Sequence, residues 1–238
     1  MAKVVIFSGA GISAESGIST FRDSGGLWEE YDVEVVCNYD SLQKNEDLTI
    51  EFYDKRRADI EDKEPNYAHR VIAELKEQYP DEIAIITQNV DNLFEKAAIA
   101  QDDVLHLHGF MPEVRCQDNS CSSVYNIGYA KQETFNGGVC PKCSTNLRPN
   151  IVFFGEAAPM YEKLNAEIQD CELFIVIGTS GNVVGVNAMA SFASRSILNN
   201  LEPSSAIDED SFSKVIYDKA SFAIEDIREE IEEFLKTD

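Results

Sequence analysis

Four of the six cysteines stand in two close pairs, Cys116-x4-Cys121 and Cys140-x2-Cys143, with an eighteen-residue spacer between them. Two such knuckles bring four thiolates to one tetrahedral point, a closed structural zinc site with no position left for a reactant. Histidine offers a second kind of chemistry, because imidazole titrates near neutrality and can take a proton from a hydroxyl. His106 and His108 alternate in the run Val104–Gly109 and, by strand spacing, point to one face, so spacing does not choose between them. His69, beside Arg70 in a helical run, reads as a surface residue. Gly9-x-Gly11 follows the apolar run Val4-Val5-Ile6-Phe7. A buried strand that enters G-x-G and leaves into a helix presents bare backbone N–H groups to a pyrophosphate, and Ala14 completes a G-x-G-x-x-A pattern. An ordinary glycine-rich turn would carry the same pattern.

Parallel strands are the elements that would position these groups. Val4–Phe7, Ile83–Ile86, Val104–Leu107, Ile151–Phe154 and Leu173–Ile177 read as buried strands, with Ile197-Leu198 and Val215-Ile216 as shorter ones. Several end in polar or glycine-rich residues: Thr87-Gln88-Asn89-Val90-Asp91, His108-Gly109 and Gly178-Thr179-Ser180-Gly181. In open α/β sheets ligands bind at those carboxyl ends. Residues 30–82 read as helical: Leu48, Phe52 and Tyr53 share part of one face, and Ala68, Val71, Ile72 and Leu75 repeat at helical spacing behind Pro65 in the first turn. A last helix, Ile224–Lys236, carries Ile227, Ile231, Phe234 and Leu235 on one side. The expected fold is α/β: a Rossmann-like parallel sheet domain (1–30, 83–112 and 148–238) with a smaller part made of a helical module (31–82) and a zinc-binding module (113–147).

The stretch Gly9–Arg22, GAGISAESGISTFR, resembles the sirtuin family of NAD-dependent protein-lysine deacylases, whose signature reads GAGIS, SGI and FR. Further matches are T-Q-N-x-D at 87–91, histidine before glycine at His108, V-x-F-G-E at 152–156, G-T-S at 178–180 and N-L-E at 200–202. The resemblance implies that NAD is a consumed co-substrate. The acyl oxygen attacks the nicotinamide ribose, nicotinamide leaves, and His108, the catalytic base, helps the neighbouring hydroxyl attack the resulting imidate. Asn89 would orient the reacting groups. Cofactor contacts would come from Gly9, Ala10, Gly11, Ile12, Ser13, Phe21, Arg22, Gln88, Asn89, Asp91, Gly178, Thr179, Ser180, Asn200, Glu202 and Ala220. Val152, Phe154, Gly155 and Glu156 would pair with substrate backbone as an added strand. Cys116, Cys121, Cys140 and Cys143 would hold one structural zinc. Three departures stand out: Ser19 and Gly185 occupy places where relatives have proline, and the 181–200 segment is short.

Tyr53 and Arg56 bear on the acyl group. At i and i+3 they share a helix face and offer an O–H and a planar fork of N–H donors, a match for a carboxylate, although pattern alone also fits a solvated basic patch. Sirtuins that prefer malonyl- and succinyl-lysine carry Y-x-x-R there, with a similar Phe52 and Arg57 around it. The resemblance therefore implies removal of succinyl, malonyl and also acetyl groups. The same cleft could instead serve protein mono-ADP-ribosylation, and a non-catalytic zinc-ribbon binding module is the reading from another class.

The chain carries 43 acidic against 20 basic residues, a formal net charge of −23, which disfavours nucleic acid and suits basic acyl-lysine protein segments, solubility or a salty cytoplasm. With no apolar run long enough for a membrane, a strand starting near the N-terminus and paired rather than bridged cysteines, the expected location is cytoplasmic. Cys37 and Cys171 read as buried apolar fillers.

Overall fold

A computed structural model describes residues 2–20 and 31–236, so Phe21, Arg22 and Trp28 lie outside the described residues. The first apolar run forms β1 (Val4–Ser8), buried throughout. A strand buried on both faces needs parallel neighbours covered by helices. β1 pairs in parallel with β2 (Ile83–Thr87) on one side and with β7 (Leu173–Ile177) on the other. With β3 (Val104–His106), β8 (Arg195–Asn200) and β9 (Lys214–Tyr217) the sheet runs β3-β2-β1-β7-β8-β9. The order reverses between β1 and β7, and that switch point opens a crevice at the carboxyl ends of the strands.

Alternation along β1 builds two cores. Val4 and Ile6 face α5 (Tyr67–Gln78) and α9 (Ala220–Lys236), while Val5 and Phe7 face α7 (Tyr161–Gln169) and α8 (Val186–Ala190). α5 shows the expected apolar stripe of Ala68, Val71, Ile72 and Leu75, but it starts one residue beyond Asn66, whose side chain caps it by accepting from Ala68 N–H at 3.0 Å. Pro65 therefore precedes the cap instead of entering the first turn. α5 packs on the main sheet, its Ala68, Val71, Ile72 and Leu75 sharing a core with Val4 and Ile6.

The smaller part joins α2 (Val33–Val36), α3 (Tyr39–Leu42) and α4 (Glu46–Asp59) to an antiparallel sheet of order β5-β4-β6, made of β4 (Gly109–Cys116), β5 (Val124–Asn126) and β6 (Leu147–Ile151). The strand expected over 151–154 thus ends at Ile151 and belongs to this second sheet. Leu48 is exposed and does not share the buried face of Phe52 and Tyr53. Arg57 is fully buried: its Nε donates to the Met111 carbonyl at 2.9 Å and its NH1 to Asp54 at 2.6 Å, while the same Asp54 oxygen accepts from Gln132 N–H. It ties the helices to the small sheet and is no solvated basic patch. No helix among the described residues is long and apolar enough to cross a membrane.

His69 corrects the surface reading most sharply. It is fully buried in α5 with its ring edge-on to Phe94 at 5.0 Å, and neither ring nitrogen has a hydrogen-bond partner among the described residues. Burial, with Arg70 adding to it, pushes the imidazole down to about 3 from 6.5. Between those two values the unfolded chain holds the extra proton, so stability falls with falling pH by up to about 1.4 kcal/mol per pH unit. Replacing His69 by leucine should flatten the decline of the urea midpoint between pH 6 and 4, measured against wild type. Equal slopes for the two proteins would show that His69 carries no such linkage.

Candidate active site

The ends of β1 and β7 meet backbone to backbone. Gly9 N–H donates to the Ile177 carbonyl at 3.0 Å and Gly11 N–H to the Gly178 carbonyl at 2.8 Å. Gly178 has φ +66°, and a Cβ there would lie 2.4 Å from the Ile12 nitrogen; a Cβ on Gly9 or Gly11 would meet Gly178 atoms at 2.8 or 2.7 Å. The close approach that the glycines permit is therefore first of all to another strand end. α1 (Gly11–Ala14) is a single turn with Ile12 and Ser13 buried. Ala14, the third small residue of the fingerprint, is exposed and does not pack the helix on the strand.

A chain of polar side chains runs across this seam. Asn89 Nδ2 donates to Ser13 Oγ at 3.0 Å and to the Gly9 carbonyl at 3.2 Å; Ser13 Oγ donates in turn to Asp91 Oδ2 at 2.9 Å. Asp91 also accepts from Leu93 N–H at 3.1 Å; burial raises its pKa, while Leu93 and Ser13 pull it back. Gln88 Nε2 donates to Thr179 Oγ1 at 2.8 Å, and Asn200 Nδ2 to the Thr179 carbonyl at 2.9 Å. Ser180 is held through its carbonyl by Ser204 Oγ at 2.7 Å. Each group fixes the rotamer of the next, so a ligand here meets side chains already oriented. Ala220 is buried at the start of α9 and Glu202 is exposed beyond β8, so these two are not part of the chain.

The two histidines part company. β3 ends at His106, whose Nδ1 donates to the Asn89 carbonyl at 2.9 Å and whose Nε2 meets Glu95 Oε1 at 2.9 Å. Burial disfavours its charge, but Glu95, the Asn89 carbonyl and Asp91 together outweigh burial and the pKa rises. His108 sits past the strand, and the shared face expected from alternation is not formed. Its Nδ1 lies 3.1 Å from the Gln88 carbonyl. A carbonyl only accepts, so Nδ1 carries the hydrogen and Nε2 keeps its lone pair. Burial lowers the His108 pKa, with the Gln88 carbonyl working against it. The imidazole is thus neutral near pH 7, the form a general base needs. Gly109 after it has φ +94°, and a Cβ there would lie 2.0 Å from the Asn150 carbonyl oxygen, which explains glycine next to this histidine.

Ala10, Ser13, Gln88, Asn89, Asp91 and His108 line one cavity of about 270 Å³ together with Tyr53 and Arg56 of α4 and Val152–Glu156 beyond β6. Ile18 and Ser19 border it as well. Val152 N–H donates to the His108 carbonyl at 2.9 Å; Phe154 N–H donates to the Cys37 carbonyl at 2.8 Å and its carbonyl accepts from Tyr39 N–H at 3.0 Å. The backbone of Phe154 is thus already engaged within the chain. Glu156 pairs with Arg148 and accepts from Phe153 N–H at 3.1 Å, so it braces the segment. Gly185 keeps φ −76°, a value open to proline too. Sequence reasoning missed Cys37 and Tyr161, which also line the cavity. Cys37 is buried as expected, but its Sγ takes the Tyr53 hydroxyl at 3.4 Å, so it is more than a filler. No periodicity links either residue to the site.

In the smaller part the four predicted cysteines converge. Cys116 Sγ lies 3.3 Å from Cys143 Sγ, Cys121 Sγ 3.9 Å from Cys140 Sγ, and all four sulfurs lie within 4.8 Å of one another. Tetrahedral zinc with Zn–S near 2.3 Å requires sulfurs about 3.8 Å apart, so the cluster fits a structural zinc.

The Sir2 family model matches residues 9–185. The NAD-dependent protein deacylase of Campylobacter jejuni is 47% identical over 237 residues, covering 99% of this chain and 98% of that protein. A protein of the same name from Helicobacter hepaticus is 40% identical, covering 98% of this chain and 99% of its own length. Among solved structures, a Sir2 homologue in complex with ADP-ribose superposes with a TM-score of 0.83 at 29% identity, over 99% of this chain and 94% of that one. A Sir2 homologue in complex with NAD gives 0.83 at 29% identity, over 98% and 90%.

Metal analysis of the purified protein should find about one zinc per chain. Chelation through the exposed Cys143 should lower the melting temperature and loosen 113–147, as should Cys143→Ser. A metal-free preparation with unchanged melting would contradict the assignment.

Proposed function

The chain belongs to the Sir2 family, and on that premise we propose that it is an NAD-dependent protein-lysine deacylase whose preferred acyl groups end in a carboxylate. Gln88, Asn89, Asp91, Ser13 and the Gly9–Ile12 and Gly178–Ser180 backbones would hold NAD across the switch-point crevice. Bound NAD supplies an electrophilic ribose carbon and a nicotinamide leaving group. His108 Nε2, kept free of its proton by the Nδ1–H bond to Gln88, would accept the proton of the attacking ribose hydroxyl. The Val152–Glu156 segment would seat the acyl-lysine peptide, with Gly155 and its flanks as the edge, since the Phe154 main chain is engaged elsewhere. Products are free lysine, nicotinamide and O-acyl-ADP-ribose.

One observation carries the acyl preference: the cavity that holds His108 is walled on the α4 side by both Tyr53 and Arg56. Burial works against the Arg56 charge, with Tyr53, Cys37 and Asp91 pulling the other way. A desolvated guanidinium gains most from an anionic partner in reach of its donor fork. Tyr53 is itself fully buried between Phe52 and Phe153, with edge-on ring contacts at 5.0 and 5.6 Å, so its hydroxyl has a defined position. The acidic chain, at −23, makes a retained cation in the acyl chamber valuable for an anionic substrate and favours basic protein segments as targets. Four cysteines placed for a metal rather than for disulfides favour a reducing compartment such as the cytoplasm.

The reading is tested with acetyl-, malonyl- and succinyl-lysine peptides on wild type and Arg56→Met, following nicotinamide and O-acyl-ADP-ribose. Loss of the carboxylate's partner should cost about 2–3 kcal/mol in kcat/KM for malonyl and succinyl and little for acetyl. Equal losses on the three peptides would remove Arg56 from acyl recognition.

A further inference from the structure

His108 is gripped at both nitrogens. Nδ1–H points to the Gln88 carbonyl at 3.1 Å, and Nε2 lies 3.2 Å from the Tyr161 hydroxyl. The rings sit 6.3 Å apart and tilted by 30°, so the hydroxyl reaches the nitrogen from an offset ring. Tyr161 is the first residue of α7, a helix pinned to the sheet by buried Leu164 and Ile168, and it lines the same cavity as His108. Its position is therefore set by a packed element and not by a loop tip. In the neutral tautomer Nε2 has no hydrogen, so the phenol donates.

We infer that Tyr161 is a positioning residue for the base: its O–H donates to Nε2 and holds the ring before turnover, turns off that lone pair when the ribose hydroxyl donates there, and its oxygen accepts from Nε2–H once His108 has taken a proton. The inference rests on the reading of His108 as base. When the ribose O–H bond breaks and Nε2–H forms, the ribose oxygen goes on to bond the acyl carbon and becomes a poor acceptor. The Tyr161 oxygen then takes over the hydrogen bond from the imidazolium, and no proton leaves His108 in this step. A bond to the charged form is roughly twice as strong as one to the neutral form, so Tyr161 makes His108 a stronger base and offsets part of the burial that weakens it.

Other titratable groups on the cavity wall among the described residues are Cys37, Tyr53, Arg56, Asp91 and Glu156. Asp91 is turned to Ser13 and Leu93, Glu156 to Arg148 and Phe153, and Tyr53 to Cys37. The downward shift of His108 has burial as its cause and the Gln88 carbonyl against it, with no charged side chain among its causes.

The test is an NMR titration of the three histidines in zinc-loaded, full-length wild type and Tyr161→Phe, resonances being assigned with single histidine variants. The Phe variant should lower the His108 pKa by about 0.5–1 unit. The acid limb of its kcat/KM profile should move to lower pH by the same amount, with a several-fold lower plateau. An unchanged or raised His108 pKa in folded Tyr161→Phe would overturn the inference. The titration reads the contact without any turnover, so a failure of the deacylase reading would leave a separate signature: a normal His108 shift in a protein that removes no acyl group.

Discussion

The contact on which everything else depends is the crossing of two strand ends, Gly9–Gly11 against Gly178, with no side chain between them. It keeps the carboxyl ends of β1 and β7 in hydrogen-bonded contact at the switch point. Ser13 and Thr179 lie within two residues of that crossing, and Asn89 donates to the Gly9 carbonyl inside it. A Cβ at Gly178 would push the α1 turn outward and with it the Ser13–Asn89–Asp91 chain. The reaction centre is in this sense a consequence of backbone packing.

Three histidines in one chain show how environment assigns roles. His69, walled by Phe94 and without a partner, stays neutral across the physiological range. His106, against Glu95, is drawn toward its charged form and anchors the Asn89 backbone from behind. His108, half-buried between a carbonyl and a phenol, is kept neutral but reachable. Groups of one chemical type whose pKa values are pushed apart by burial and neighbours mark acid–base assignments. Buried arginines brace the segments around the cleft: Arg57 binds α4 to β4, and Arg148 lies over the Phe153 ring at 4.9 Å while pairing with Glu156.

What could be read from the sequence was what local chemistry specifies. The four cysteines converge as their spacing requires, and each β-branched run of the main sheet became a strand. The polar residues that end β2 and β7 do meet, Gln88 donating to Thr179. What could not be read depends on which element covers a residue. His69 is packed against Phe94 of a distant segment, and Arg57 is received inside by the Met111 carbonyl of the small sheet as well as by Asp54. The strand expected over 151–154 stops at Ile151 because the next residues are drawn off to His108 and Cys37. Cys37 and Tyr161 reach the cavity from opposite lobes, a placement that no sequence period encodes.

The central claim, that His108 Nε2 is the base at the meeting of a dinucleotide crevice and an acyl chamber, is tested most directly by His108→Ala. Binding of NAD by calorimetry and turnover of an acyl-lysine peptide should be measured on the same zinc-loaded preparation. The account predicts that NAD still binds while turnover falls by about 10²–10⁴. Wild-type turnover in a folded His108→Ala protein would contradict it.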